Sequence, residues 1–257
     1  KEALKDPVMS RGYTAMEEET LDPSRQKKGD TKEGFYIGAD IVKSDSRYNP
    51  AKLMGPNCWP TSEATNGEMN AQACETFRSV MQDYFDKLSN LGFRVTQLLA
   101  RALGLDEHYF DEFFQQPMRV IRLLHYAKET SKPKDGIFAC GAHSDYGMIT
   151  LLLTDQQPGL QINYKGEWIG VPPRRHAFVV NLGDMLERWS NGLFKSTLHR
   201  VLTSGEIERH SIPFFYEPDF DTEVTCLPTC FSKDNPAKYP PVTSGQYLLN
   251  KYKESHA

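Results

Sequence analysis

Gly141-Ala142-His143-Ser144-Asp145 places an imidazole and a carboxylate two residues apart. On a strand, residues i and i+2 point to one face, so His143 and Asp145 can present their donor atoms side by side. A third ligand has to come from another segment. His199, in Ser196-Thr197-Leu198-His199-Arg200, lies near the far edge of the same block of short extended segments. Two imidazoles and one carboxylate on one side of an ion leave the opposite positions open, the ligand pattern that suits ferrous iron in oxygen chemistry. Read alone, a His-x-Asp triplet more often marks a surface histidine or one satisfied in a core. The other histidines (His108, His125, His176, His210 and His256) have no carboxylate two residues on and are expected to be structural or exposed.

Arg209-His210-Ser211 opens a second informative stretch, Ile212-Pro213-Phe214-Phe215. The same alternation puts Arg209, Ser211, Pro213 and Phe215 on one face. A guanidinium aimed into the interior beside an apolar strand is costly unless it meets an acid. Its planar fork matches a carboxylate bidentately, and Ser211 adds another donor. The partner is therefore either a bound ligand's carboxylate or a distant protein acid such as Asp184.

The elements that must position these residues are short and mostly extended. After Pro117 the apolar period becomes two, in segments divided by Gly and Pro: Arg119–Tyr126, Ile137–His143, Met148–Thr154, Leu160–Tyr164, Glu167–Val171, His176–Asn181, Thr197–Leu202, Arg209–Tyr216 and Glu223–Leu227. With no helix between them these exclude a βαβ arrangement and favour a jelly roll or barrel. Upstream, Phe77, Val80, Met81, Tyr84, Phe85, Leu88, Leu91, Val95, Leu98, Leu99 and Leu103 recur every three or four residues. That spacing predicts a helix from Ala71 to Gly104, either one backing rod or two pieces broken at Gly92. Shorter helices are expected near Asp106–Phe114 and Ser244–Glu254. The first 70 residues are polar and irregular and read as loops with one apolar piece, Gly34-Phe35-Tyr36-Ile37-Gly38. The expected fold is α+β and mainly β: a double-stranded β-helix (jelly-roll) core over 116–230, backed by a long helix and flanking helices. A helical and loop region over 1–115 precedes it, and a C-terminal loop and helix over 231–257 follows.

Across 257 residues, 30 Lys and Arg against 34 Asp and Glu give a net charge of −4. Nucleic-acid binding draws on excess basic charge, so no nucleic-acid partner is expected. No run approaches the roughly 18 apolar residues of a membrane span, so no membrane partner is expected either. Five scattered cysteines in a chain of this length suggest a reducing compartment and a cytoplasmic location. A start at Lys1-Glu2-Ala3-Leu4-Lys5, without an initiating Met, reads as a trimmed chain.

From Arg119 to Pro218 the sequence resembles the 2-oxoglutarate- and Fe(II)-dependent dioxygenases related to isopenicillin N synthase, mostly plant and fungal enzymes. The resemblance rests on Gly141-Ala142-His143-Ser144-Asp145-Tyr146-Gly147, Asn181-Leu182-Gly183-Asp184-Met185-Leu186-Glu187-Arg188-Trp189-Ser190-Asn191-Gly192, Lys195-Ser196-Thr197-Leu198-His199-Arg200-Val201 and Arg209-His210-Ser211-Ile212-Pro213-Phe214-Phe215, in that order. Gly34–Gly38 and Gly55-Pro56-Asn57-Cys58-Trp59-Pro60 are similar as well. It implies that His143, Asp145 and His199 ligate iron, and that Arg209 and Ser211, assisted by Tyr126, hold the distal carboxylate of 2-oxoglutarate. Phe215 would face the substrate cavity, with Arg122 directed to the substrate side. Leu124 stands where many members carry Asn, and the pattern's opening helix and strand are missing from the chain.

The resemblance further implies Fe(II), 2-oxoglutarate and O₂ as requirements, with ascorbate as reductant. The reaction implied is hydroxylation, desaturation or O-demethylation of a small organic molecule, a specialised metabolite or hormone-like acid, while 2-oxoglutarate becomes succinate and CO₂. Two other readings fit the residues. One is an iron oxidase of the same superfamily that uses its Arg-x-Ser pair on its own substrate. The other is a non-catalytic jelly roll that binds a small ligand.

Overall fold

The computed structural model describes residues 4–255. In chain order it contains β1 (Lys5–Asp6), β2 (Arg11–Thr14), β3 (Lys32–Gly38), α1 (Ala71–Ala102), β4 (Pro117–Tyr126), β5 (Cys140–His143), β6 (Ile149–Thr154), β7 (Leu160–Tyr164) and β8 (Glu167–Gly170). There follow β9 (Val179–Leu182), α2 (Asp184–Trp189), β10 (His199–Val201), β11 (Arg209–Asp219), β12 (Glu223–Val224), β13 (Val242–Thr243) and α3 (Ser244–Ser255). One sheet has seven strands in the order β1-β2-β3-β4-β11-β6-β9, another has four in the order β5-β10-β7-β8, and β12 and β13 form a small ribbon. The two larger sheets enclose the cavity that holds the site, the jelly-roll arrangement expected from the short strands.

β11 organises the large sheet. It pairs antiparallel with β4, with Arg209 opposite Tyr126 and Ser211 opposite Leu124, and on its other edge with β6, with Phe215 opposite Thr150. Because side chains alternate, Phe214 and Tyr216 enter the core while Arg209, Ser211, Pro213 and Phe215 line the cavity. The same alternation sends Ile149 and Leu151 of β6 and Ile121 of β4 to the core side.

Helix α1 covers that core side without a break. Asn70 caps it, its side chain accepting from the Ala73 N–H at 2.8 Å. Gly92 does not divide the helix, because it is where the Tyr216 ring comes closest: a Cβ there would lie 2.8 Å from Tyr216 Cγ. Phe85 meets Phe214 edge to face at 5.7 Å between ring centroids. Of the apolar stripe read from the sequence, Met81, Phe85 and Leu88 are buried, whereas Val80 and Leu98 are 59% and 64% exposed. The stripe spans more of the helix circumference than one sheet can cover.

Elsewhere the structure departs from the sequence reading in length and in kind. The segment 106–114 forms turns and a single 3₁₀ turn over Asp111–Phe113. Its aromatic rings pull to different partners, Phe110 and Phe113 to Trp189 and Phe114 to Tyr216. The first 70 residues, read as loops, contribute β1, β2 and β3 to the large sheet, with β3 paired to β4 from Lys32 opposite Tyr126 to Gly38 opposite Val120. Helix α2 is an addition to the elements expected from the sequence. All five cysteines are free thiols.

Candidate metal and cosubstrate site

β5 ends on His143, and β10 begins on His199, its register partner in the adjacent strand. Asp145 follows two residues after β5. These three side chains converge, and one donor atom from each lies within 4.8 Å of the others. His143 Nε2 and His199 Nε2 stand 3.8 and 3.7 Å from Asp145 Oδ1. Those gaps are too wide for a hydrogen bond and leave room for one ion among the three donors.

The surroundings fix each donor in the form a metal requires. His143 Nδ1 lies 2.9 Å from the Gly141 carbonyl and His199 Nδ1 lies 2.9 Å from the Thr197 carbonyl. A carbonyl only accepts, so each Nδ1 carries the proton and each Nε2 lone pair faces the centre. Asp145 Oδ2 accepts from the Thr150 hydroxyl and from Asn181 Nδ2, both at 2.6 Å, which leaves Oδ1 for the ion. Burial and the neighbouring His199 push His143 down to about 4, so its imidazole is neutral near pH 7. Burial opposes charge on Asp145, but His199, His143 and the two hydrogen bonds outweigh it and hold the carboxyl below its usual range. This donor set fits a divalent ion.

At the other end of the cavity Arg209 is 2% exposed, and its Nε and Nη1 have no hydrogen-bond partner. The guanidinium lies over the Tyr126 ring, 4.8 Å from its centroid, and the Ser211 hydroxyl donates to Tyr126 Oη at 3.4 Å. Asp184, the protein acid considered for Arg209, instead accepts from the Tyr247 hydroxyl at 2.7 Å. A fully buried cation with two orphaned donors beside two hydroxyls forms a receptor for a carboxylate.

His143, Asp145, His199, Tyr126, Arg209, Ser211, Phe215 and Arg122 all line this one cavity, as does Leu124. Arg122, however, is already engaged. Its Nη1 is 3.1 Å from Glu19 Oε1, and its guanidinium lies over the Tyr36 and Phe215 rings at 4.2 and 5.4 Å. Glu19 also pairs with Lys32 at 2.7 Å, and Lys32 with Asp30. This buried network ties the 15–31 loop to the cavity wall. Thr150, Asn181, Lys32 and Glu19 escaped the sequence reading. Thr150 alone left a signal, a hydroxyl on the inward face of a largely apolar strand.

The comparisons with known proteins agree with this geometry. Residues 117–218 match the 2OG-Fe(II) oxygenase superfamily, and residues 1–62 match a family described as non-haem dioxygenase in morphine synthesis N-terminal. A 2-oxoglutarate-Fe(II) type oxidoreductase of Emericella nidulans is 35% identical over 257 residues, covering 96% of this chain and 69% of that protein. Clavatol oxidase of Penicillium crustosum is 35% identical over 238 residues, 88% of this chain and 68% of that protein. Among solved structures, a full-length Neurospora crassa protein in complex with alpha-KG has a TM-score of 0.80 at 31% identity, covering 98% of this chain and 75% of that one. The chain thus belongs to the 2OG-Fe(II) oxygenase superfamily, and is an oxidoreductase that requires Fe(II), 2-oxoglutarate and O₂ to oxidise a small organic molecule.

Proposed function

We propose that His143, Asp145 and His199 hold the ferrous ion, and that Arg209, Ser211 and Tyr126 hold the far carboxylate of 2-oxoglutarate. The observation that carries the assignment is the buried Arg209 guanidinium, whose orphaned donors face the cavity that also contains the triad. The alpha-KG bound in the similar Neurospora crassa structure supports the same reading. Bound iron supplies what side chains lack, an O₂-derived oxidant able to take hydrogen from a C–H bond while 2-oxoglutarate becomes succinate and CO₂.

The chain's own residues do the rest. Thr150 and Asn181 orient Asp145, and the Gly141 and Thr197 carbonyls hold both imidazoles with their lone pairs inward. Arg209 neutralises one end of a dianion that the cavity would otherwise reject. Leu124, opposite Ser211, replaces a polar contact with an apolar wall and leaves the carboxylate to Arg209, Ser211 and Tyr126. Phe215 and Arg122 border the substrate side, where Phe215 presents an apolar face and Arg122, held by Glu19, presents a fixed guanidinium edge. The reaction is hydroxylation, desaturation or O-demethylation.

The chain divides into an N-terminal region over 1–115, a jelly-roll core over 116–230 and a C-terminal loop and helix over 231–257, a reading supported by the family match over 117–218. Free thiols support a cytoplasmic setting, and no helix among the described residues is long and apolar enough to cross a membrane. The partner is a small molecule, and a net charge of −4 gives the chain no electrostatic reason to bind nucleic acid. The test is succinate release in step with 2-oxoglutarate consumption by the Fe(II)-loaded, ascorbate-supplemented protein, abolished by His199→Ala. Full turnover without 2-oxoglutarate would overturn the reading.

A further inference from the structure

β11 extends beyond the cosubstrate end, and its alternation adds one more inward residue after Phe215, which is Glu217. Glu217 borders two adjoining spaces. One contains Asp145 and Arg122 on its walls, and the other is lined by Arg11 and Arg119 among others. Phe215, Leu248 and Tyr252 are common to both, so Glu217 stands at their junction amid largely apolar walls.

Glu217 is 6% exposed, and its carboxyl, which packs against the Gly147 backbone, makes neither a hydrogen bond nor an ion pair among the described residues. Other buried acids around the cavity have partners: Glu19 and Asp30 pair with Lys32, Glu19 pairs with Arg122, and Asp145 accepts two hydrogen bonds. Arg122, the cation nearest in charge to Glu217, is held by Glu19 and two rings. A buried carboxyl without a partner is costly, and whether ionised or neutral it keeps an oxygen able to accept a hydrogen bond.

Resting on the iron and 2-oxoglutarate assignment above, we propose that Glu217 determines substrate specificity by accepting a hydrogen bond from a hydroxyl or amino group on a substrate whose apolar body packs against Phe215, Leu248 and Tyr252. A substrate with only hydrocarbon at that end makes no such hydrogen bond and leaves the carboxyl without a partner. This narrows the small-molecule class to compounds that carry a donor there.

The test uses the Fe(II)-loaded full chain with 2-oxoglutarate, without oxygen, and three probes on one body: 4-methylbenzyl alcohol, 4-methylbenzylamine and the donor-free hydrocarbon 4-ethyltoluene. Binding is read from the change that each probe causes in the visible absorption of the Fe(II)–2-oxoglutarate protein. Wild type should bind the alcohol and the amine about tenfold or more tightly than the hydrocarbon, as expected for a hydrogen bond to a carboxyl. Glu217→Leu should erase that ranking. The isosteric Glu217→Gln should keep the alcohol and weaken the amine, and it decides the matter if the leucine variant does not fold. Equal binding of the three probes by wild type, no binding of alcohol and amine at millimolar concentration, or an unchanged ranking in the variants overturns the inference. An absorption change on adding 2-oxoglutarate alone tests the underlying assignment separately. If it appears while the probes fail, only the role of Glu217 falls; if it is absent, the assignment falls as well.

Discussion

Under the proposed assignment, Arg209 meets the cosubstrate carboxylate and Asp145 meets the ion. Arg209 is buried with Nε and Nη1 unsatisfied, a desolvation that a bound carboxylate would offset. Arg209→Lys keeps the charge but loses the planar fork. We expect 2-oxoglutarate to bind about 10- to 100-fold more weakly, the size of one or two charge-assisted hydrogen bonds, as read by calorimetric titration of the anaerobic Fe(II) protein. Unchanged affinity would place the carboxylate elsewhere. Asp145 depends on Thr150 and Asn181 to keep Oδ1 toward the imidazoles. Replacing either partner, as in Thr150→Val or Asn181→Leu, should weaken Fe(II) binding by about 10- to 100-fold, the usual cost of losing a hydrogen bond that orients a ligand. Competition with a chelator measures it. The Arg-x-Ser pair was legible in the sequence because it follows strand alternation, and the His-x-Asp pair because its two residues are close in the chain, although Asp145 lies just past the end of β5. The partners of Asp145 were not, since Thr150 and Asn181 reach it from two other strands.

Secondary elements bring these side chains together, and their legibility depended on length. Helix α1 was readable because 32 residues repeat one period many times, although the sequence left open whether Gly92 divides it. The answer lies across the interface, in the ring of Tyr216. Gly92→Ala gains about 1 kcal/mol of helix propensity but sets a Cβ 2.8 Å from Tyr216 Cγ, an overpacking that costs about 1–3 kcal/mol. We therefore expect a net loss of up to about 2 kcal/mol in chemical denaturation, and a gain in stability would show that helix and sheet can separate there. β1 and β2, with two and four residues, are too short to display a period, and they exist because β3 offers them an edge. For the same reason 106–114 failed as a helix. Nine residues give little cooperative helix, and contacts to Trp189 and Tyr216 decide the backbone.

At the scale of the whole molecule, one jelly roll encloses several ionisable groups in a single interior, and their balance should be visible in its stability. Burial, and then the charge of Asp145, push Glu217 up to about 8 from an ordinary 4.5, with Arg122 pulling the other way. A carboxyl whose folded value is raised contributes stability that is whole below about pH 4.5 and is lost as pH rises through 8. In chelator-treated protein, Glu217→Gln should therefore gain stability over wild type by a few kcal/mol between about pH 5 and pH 8.5. Denaturant curves that stay parallel across that range would contradict it. The sequence by itself determined the proposed ligand triad and carboxylate-binding pair as candidates, and the backing helix and the block of short strands as elements, because each is written in a local period or in a motif of a few residues. Only the tertiary structure decided that β1 to β3 complete the large sheet, that Arg122 belongs to Glu19, and that Glu217 stands unpartnered beside the site. Those outcomes depend on which distant segments become neighbours, and strand pairing and burial settle that after the chain has folded.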